Sequence, residues 1–179
     1  LRTPLTSIAG SLGLIAGGAA GQMPEKARRL VTIAQSNSQR LVRLINDVLD
    51  MNKLESGKMP FHMIDLSLRD VALRSIDGVR GYADQVGVEI ELAGGEDIPV
   101  RGDVDRLIQV ATNLLSNALR FSPRGGLVTV EVVRDEGRAR LSVIDRGPGV
   151  PESFRDRIFT RFAQADASNA RGKSGTGLG

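Results

Sequence analysis

Between Pro24 and Leu54 the apolar residues Leu30, Ala34, Leu41, Leu44, Val48 and Met51 recur in alternating steps of four and three, broken only by Asn37. That spacing is a heptad seam on one long helix. Pro24 suits a first helical turn, Glu25 favours the positive end of the helix dipole and Gly57 suits a C-terminal cap, so the helix is expected over about 24–56. Before it, Leu5, Ile8, Leu12 and Ile15 repeat at helical spacing until GGAAG, Gly17 to Gly21, interrupts the pattern. A helical hairpin results. Two helices leave apolar seams uncovered, and the simplest burial is a second copy, giving half of a dimeric four-helix bundle. Packing against the chain's own globular part is the alternative.

After Gly57 the pattern changes to alternating strands and helices. MPFHMIDLSL, from Met59, predicts a strand running into a helix that starts near Asp65 or Ser67 and continues to about Val86. VEIEL and IPVRG read as short strands separated by AGGED, and Asp103 to Phe121 reads as a helix. LVTVEVV and RARLSVID form a hairpin turning at Asp135 to Gly137, and the chain after Arg146 reads mostly as loop. The expected fold class is α+β: a helical hairpin over 1–56, then an α/β sandwich over 57–179 with helices on one face of a mixed sheet.

Composition narrows the function classes. The 179 residues are 41% hydrophobic and 25% charged, as in a soluble globular protein, and no apolar run is long enough to span a bilayer. The absence of cysteine excludes disulfides and thiolate chemistry and fits a reducing compartment. The net charge of +3 comes from arginines scattered among acids, without the clustered basic face that nucleic-acid binding needs.

Candidate chemistry begins on the helix at 103–121. Leu107, Ile108, Ala111, Leu114, Leu115 and Ala118 fall on one arc, while Arg106, Asn113, Asn117 and Arg120 fall on the other. Amide oxygens are neutral hard ligands suited to Mg²⁺, and an arginine compensates phosphate charge. DRGPG, Asp145 to Gly149, follows an apolar strand, placing a carboxylate beside a backbone free of side chains at Gly147 and Gly149. Such a carboxylate accepts a hydrogen bond from the adenine amino group, whereas the carbonyl of guanine would face it acceptor to acceptor. GTGLG, Gly175 to Gly179, is a bare segment able to close on phosphates, with donors from Lys173, Ser174 and Thr176. Each motif alone is weak; in this order they outline an ATP pocket.

NLLSNALRFSP, DRGPGVP, RIFTRFAQAD and GTGLG together resemble the ATP-binding domain of sensor histidine kinases of two-component systems, within the Bergerat-fold ATPases. LRTPLTSI at the start resembles the end of their phosphoacceptor box, normally preceded by His-Glu. The resemblance implies a protein-histidine kinase that uses ATP and Mg²⁺, dimerises through the hairpin and passes phosphate to an aspartate on a response-regulator receiver domain. It implies Asn117 as main magnesium ligand with Asn113 in support, Arg120 and Phe121 bordering phosphates and base, and Asp145 reading adenine. Gly147, Gly149, Lys173, Gly175, Thr176, Gly177, Leu178 and Gly179 would form the pocket and lid, anchored by Phe159 and Phe162. Thr3, one helical turn beyond the expected histidine, would position water for dephosphorylation of the regulator.

Two departures qualify the resemblance. Leu1 stands two positions past the expected phosphoacceptor and Gly179 falls where the family continues, so a piece truncated at both ends is expected, inactive by itself in autophosphorylation. The resemblance further implies a cytoplasmic location, with any membrane anchor upstream. The single histidine, His62, is outside such a box and reads as structural. In the ATPase relatives a glutamate four residues before the metal-binding asparagine activates water; here Asn113 holds that place, and an amide cannot take the proton. Transfer to a histidine nucleophile is therefore favoured over hydrolysis. The alternative is a module that binds nucleotide, dimerises and docks a partner without turnover.

Overall fold

The computed structural model describes residues 2–94 and 96–160, and the chain forms two compact units, Leu1–Pro60 and a second that begins at Phe61.

The first unit is a helical hairpin of α1, Arg2–Ala16, and α2, Glu25–Glu55. The glycine-rich turn between them uses positive φ at Gly18 and Gly21, 95° and 79°. At the far end of α2, Gly57 turns left-handed, its N–H reaching the Leu54 carbonyl at 3.1 Å while Lys58 N–H reaches the Lys53 carbonyl at 2.9 Å. These two bonds satisfy carbonyls that the helix end would leave unpaired. Packing two helices together is not enough to bury α2: none of its residues is buried, and Leu30, Leu41 and Val48 remain exposed.

In the second unit α3, Leu68–Val86, and α4, Val104–Phe121, pack on each other beside a small sheet. Ser67 caps α3 by accepting from Asp70 N–H at 3.1 Å, and the helix ends at Gly87 with φ of 70°. Strands β1, Ile64–Ser67, and β3, Pro99–Gly102, pair antiparallel, with Ile64 opposite Gly102 and Ser67 opposite Pro99. Strand β2, Glu89–Ala93, runs parallel to β4, Leu127–Asp135, which pairs antiparallel with β5, Arg138–Ile144. Helices beside a mixed sheet are as expected, but the hydrogen-bonded strands fall into a pair and a triplet.

The core lies between the helices and β4. Val128, Val130 and Val132 point inward at period two and meet Val71, Ala72, Ile76 and Val79 of α3 and Leu115, Ala118 and Leu119 of α4. Residues after α4 are tied to the start of β2, because Gly125 N–H donates to the Gly87 carbonyl at 2.6 Å and Glu89 N–H to the Gly126 carbonyl at 2.9 Å. The β4–β5 turn takes left-handed φ at both Glu136 and Gly137, 47° and 80°, matching the twist of a two-residue hairpin.

One local expectation needs correction. The first strand is confined to Ile64–Ser67, so His62 precedes it; its N–H is taken by the Asp103 carboxylate rather than by a strand ladder. Among the described residues after Arg146 the chain is mostly loop, as expected, with one helical turn, α5, Glu152–Arg155, following Pro151.

Candidate nucleotide site

Helix α4 builds the site because its two faces differ. Ala111, Leu115, Ala118 and Leu119 are locked into the core, which leaves Asn113 and Asn117 exposed on the other side, four residues apart and so about 6 Å along the axis. Leu114, expected on the buried arc, is 46% exposed and stands with Val110 and Phe121 on the open face. The correction follows from helix geometry: Leu114 is one turn from Val110 and three residues before Asn117, and the sheet does not reach around to it. An open face that mixes amides with apolar side chains suits a ligand with a polar end and a flat apolar end.

Arg120 closes the C-terminal part of this face. It is half-buried, its guanidinium lies 4.6 Å from the centre of the Phe121 ring, and Nε is buried without a hydrogen-bond partner among the described residues. A buried donor left unmatched is costly, and an anion arriving there would relieve it.

Asp145 stands one residue beyond β5 and is exposed. Its Oδ1 accepts from Gly147 N–H at 2.7 Å, which folds the loop back and leaves Oδ2 for a ligand. The loop also presses on α4: a Cβ added at Gly147 would stand 2.9 Å from the Phe121 carbonyl oxygen and 2.8 Å from Asp145 Oδ1. Only glycine fits there without displacement. Gly149 carries φ of 73°, a second position that favours glycine. Thus Asp145 and Gly147 come together with Phe121 at the end of the helix that bears Asn113, Asn117 and Arg120. Lys173, Gly175, Thr176, Gly177, Leu178 and Gly179, like Phe162, lie outside the described residues. Phe159 is described and is 97% exposed. Thr3 is exposed on α1, in the other unit.

One residue with a larger part than the sequence reading gave it is Asp103. It is 9% exposed, and its Oδ1 accepts the N–H groups of Asp105 and Arg106, both at 3.1 Å, capping α4. Its Oδ2 accepts His62 N–H at 2.8 Å. The bond from His62 and then that from Arg106 hold the carboxyl below its ordinary range, against the opposing effect of burial. An aspartate directly before the helix was the available signal for the cap, but the partner 41 residues away was not readable.

The chain is thus a helical hairpin followed by an α/β unit in which one helix carries two exposed amides. The His Kinase A (phospho-acceptor) domain family matches residues 1–57, and the histidine kinase-, DNA gyrase B- and HSP90-like ATPase family matches residues 102–179. Among curated relatives, the circadian input-output histidine kinase CikA of Synechococcus elongatus is 35% identical over all of this chain, which spans 24% of that protein. The crystal structure of full-length ShkA in complex with AMPPNP is similar over 99% of this chain and 36% of its own, with 29% identity and a TM-score of 0.77. The mycobacterial sensor histidine kinase MprB is 32% identical over 66% of this chain and 73% of its own, with a TM-score of 0.53. The chain belongs to the sensor histidine kinases. Among its described residues no helix is long and apolar enough to cross a membrane.

Proposed function

We propose that α4 and the Asp145–Gly149 loop bind Mg-ATP and that the γ-phosphoryl group is transferred to a histidine and then to an aspartate of a response-regulator receiver domain. The observation that carries this reading is the pair of amides on the open face of α4, with the Asp145 loop held against the end of the same helix through Gly147. Asp145 Oδ2 accepts from the adenine amino group while Oδ1 stays on Gly147 N–H. Phe121 covers the base, and Arg120 offers its unmatched Nε and its charge to the phosphates. Asn113 and Asn117 present hard, neutral oxygens, a donor set that fits Mg²⁺. The ion, when bound, neutralises charge on the phosphates.

Asn113 cannot act as a base, so the site lacks the carboxylate that would activate water from that position. What these residues do supply is placement and charge compensation, the main requirements of phosphoryl transfer to a nucleophile brought by another domain. The hairpin supplies pairing: exposed Leu41 and Val48 continue the seam of α2, and a second copy buries it. Thr3, on α1, positions water for dephosphorylation of the regulator.

Calorimetry with AMPPNP, in magnesium and in EDTA, tests the metal assignment. Asn117→Asp should lose most of the magnesium-dependent affinity while keeping the magnesium-independent part contributed by the adenine end, because its added carboxylate repels the phosphates. An affinity and a magnesium dependence equal to those of the wild type would place the metal elsewhere.

A further inference from the structure

Helix α4 begins at a carboxylate that does two jobs with its two oxygens. Oδ1 caps the first turn through Asp105 and Arg106, and Oδ2 holds the N–H of His62 at 2.8 Å, in the segment that leaves the helical hairpin two residues after Pro60. A cap alone needs one acceptor, and serine, threonine or asparagine would provide it. The His62 bond needs a second. Asparagine would turn its NH₂ toward one of the two sets of donors, and serine is too short to reach both. An aspartate at 103 thus serves both the cap and the second bond, where the other capping residues would serve the cap alone. Burial of the group, 9% exposed, shields both bonds from competing water.

We propose that Asp103 is a positioning residue for phosphoryl transfer: it staples the segment leaving the hairpin to the start of α4 and thereby fixes the helix that presents Asn113 and Asn117. This rests on the function proposed above. A helix is stiff along its hydrogen-bonded axis, and Asn113 lies ten residues, about 15 Å, from the staple. The other end of α4 is held separately, where Gly147 passes against Phe121. Releasing the first anchor leaves the nucleotide its contacts near Phe121, Arg120 and Asp145 and loosens the aim of the amides. The effect therefore falls on turnover more than on nucleotide affinity, since small misplacements of positioning groups are expensive in rate.

The test uses the full-length protein with Asp103→Asn, Asp103→Ser and His62→Pro, the last removing the N–H donor together with an exposed imidazole and fixing φ at that position. Hydrogen exchange at the His62 amide reports the staple independently of activity: it should be protected in the wild type and exchange at least tenfold faster in Asp103→Ser. Histidine phosphorylation should show kcat about tenfold lower in all three variants, with the KM for ATP within about twofold and a single cooperative melting transition retained at a lowered temperature. Wild-type turnover in Asp103→Asn and Asp103→Ser would reduce Asp103 to a helix cap and overturn the proposal, as would an unprotected His62 amide in the wild type. An unphosphorylated wild type with a protected His62 amide would instead refute the kinase reading, and with it the catalytic part of this one.

Discussion

At the scale of single residues, the loop Asp145–Gly149 shows how much chemistry depends on where a side chain is absent. Gly147→Ala would press its methyl to 2.9 Å from the Phe121 carbonyl oxygen, a contact that only backbone movement can relieve. The substitution should weaken ATP binding at least tenfold with a small loss of thermal stability, measured by calorimetry beside a melting curve; unchanged affinity would mean the loop does not border the nucleotide. Asp145→Asn should cost ATP about 1.5–3 kcal/mol, the worth of a hydrogen bond to a charged group, and narrow its advantage over GTP because the amide can offer guanine a donor. Equal affinities before and after, for both nucleotides, would remove Asp145 from the base pocket. The amide pair and these glycines were legible in the sequence because their spacing implies chemistry. Leu114 was not, since periodicity gives the angle of a side chain around its helix but not how far the sheet extends to cover it. Asp103 was legible as a helix start, while its bond to His62 joins positions whose separation only the fold removes.

At the scale of elements, α2 and α4 illustrate two kinds of amphipathic helix. One face of α4 is fully covered within its own unit, whereas α2 buries none of its residues in the hairpin. Heptad spacing predicted the existence of α2 closely because a repeated pattern over many turns outweighs any local preference. The first strand was overestimated, since MPFHMI has strand-like composition and yet one of its N–H groups is claimed by a side chain. Replacing Leu41 and Val48 by glutamate together should convert a dimer to a monomer in sedimentation, given roughly 1.5–3 kcal/mol for burying each such side chain. A dimer unchanged at low micromolar concentration would show that the seam faces something else.

Asp47 makes a second test on α2. Burial first, and then the neighbouring Asp50, raise its carboxyl above the ordinary 3.8, with Arg43 opposing. A raised value in the folded state means that the ionised group disfavours folding, an effect fully present above the folded pKa and gone below 3.8. Asp47→Asn should accordingly raise the melting temperature at pH 7 and lose that advantage as the pH falls toward 3.8. Asp103 has the opposite sign: its carboxylate favours folding above 3.8 and loses this contribution as the pH falls through its lowered value. A melting series across that range that moved both variants in the same direction would contradict the assigned environments.

At the scale of the whole molecule, the fold class was readable because the two units carry different periods, heptads first and then alternating strands and helices. Membership of the sensor histidine kinases rests on matches to both units, over 1–57 and 102–179. The division of labour proposed for them, one unit to pair and one to hold nucleotide, makes phosphate transfer the property that neither unit has alone. The measurement that bears on it most directly is the fate of the γ-phosphoryl group of labelled ATP when the full-length protein is incubated with magnesium and a receiver domain is then added. The account predicts acid-labile label on histidine that moves to a receiver aspartate, abolished by Asn117→Asp, with little phosphate released before the receiver is added. Steady release of free phosphate with no label on protein would show that water is the acceptor and contradict it.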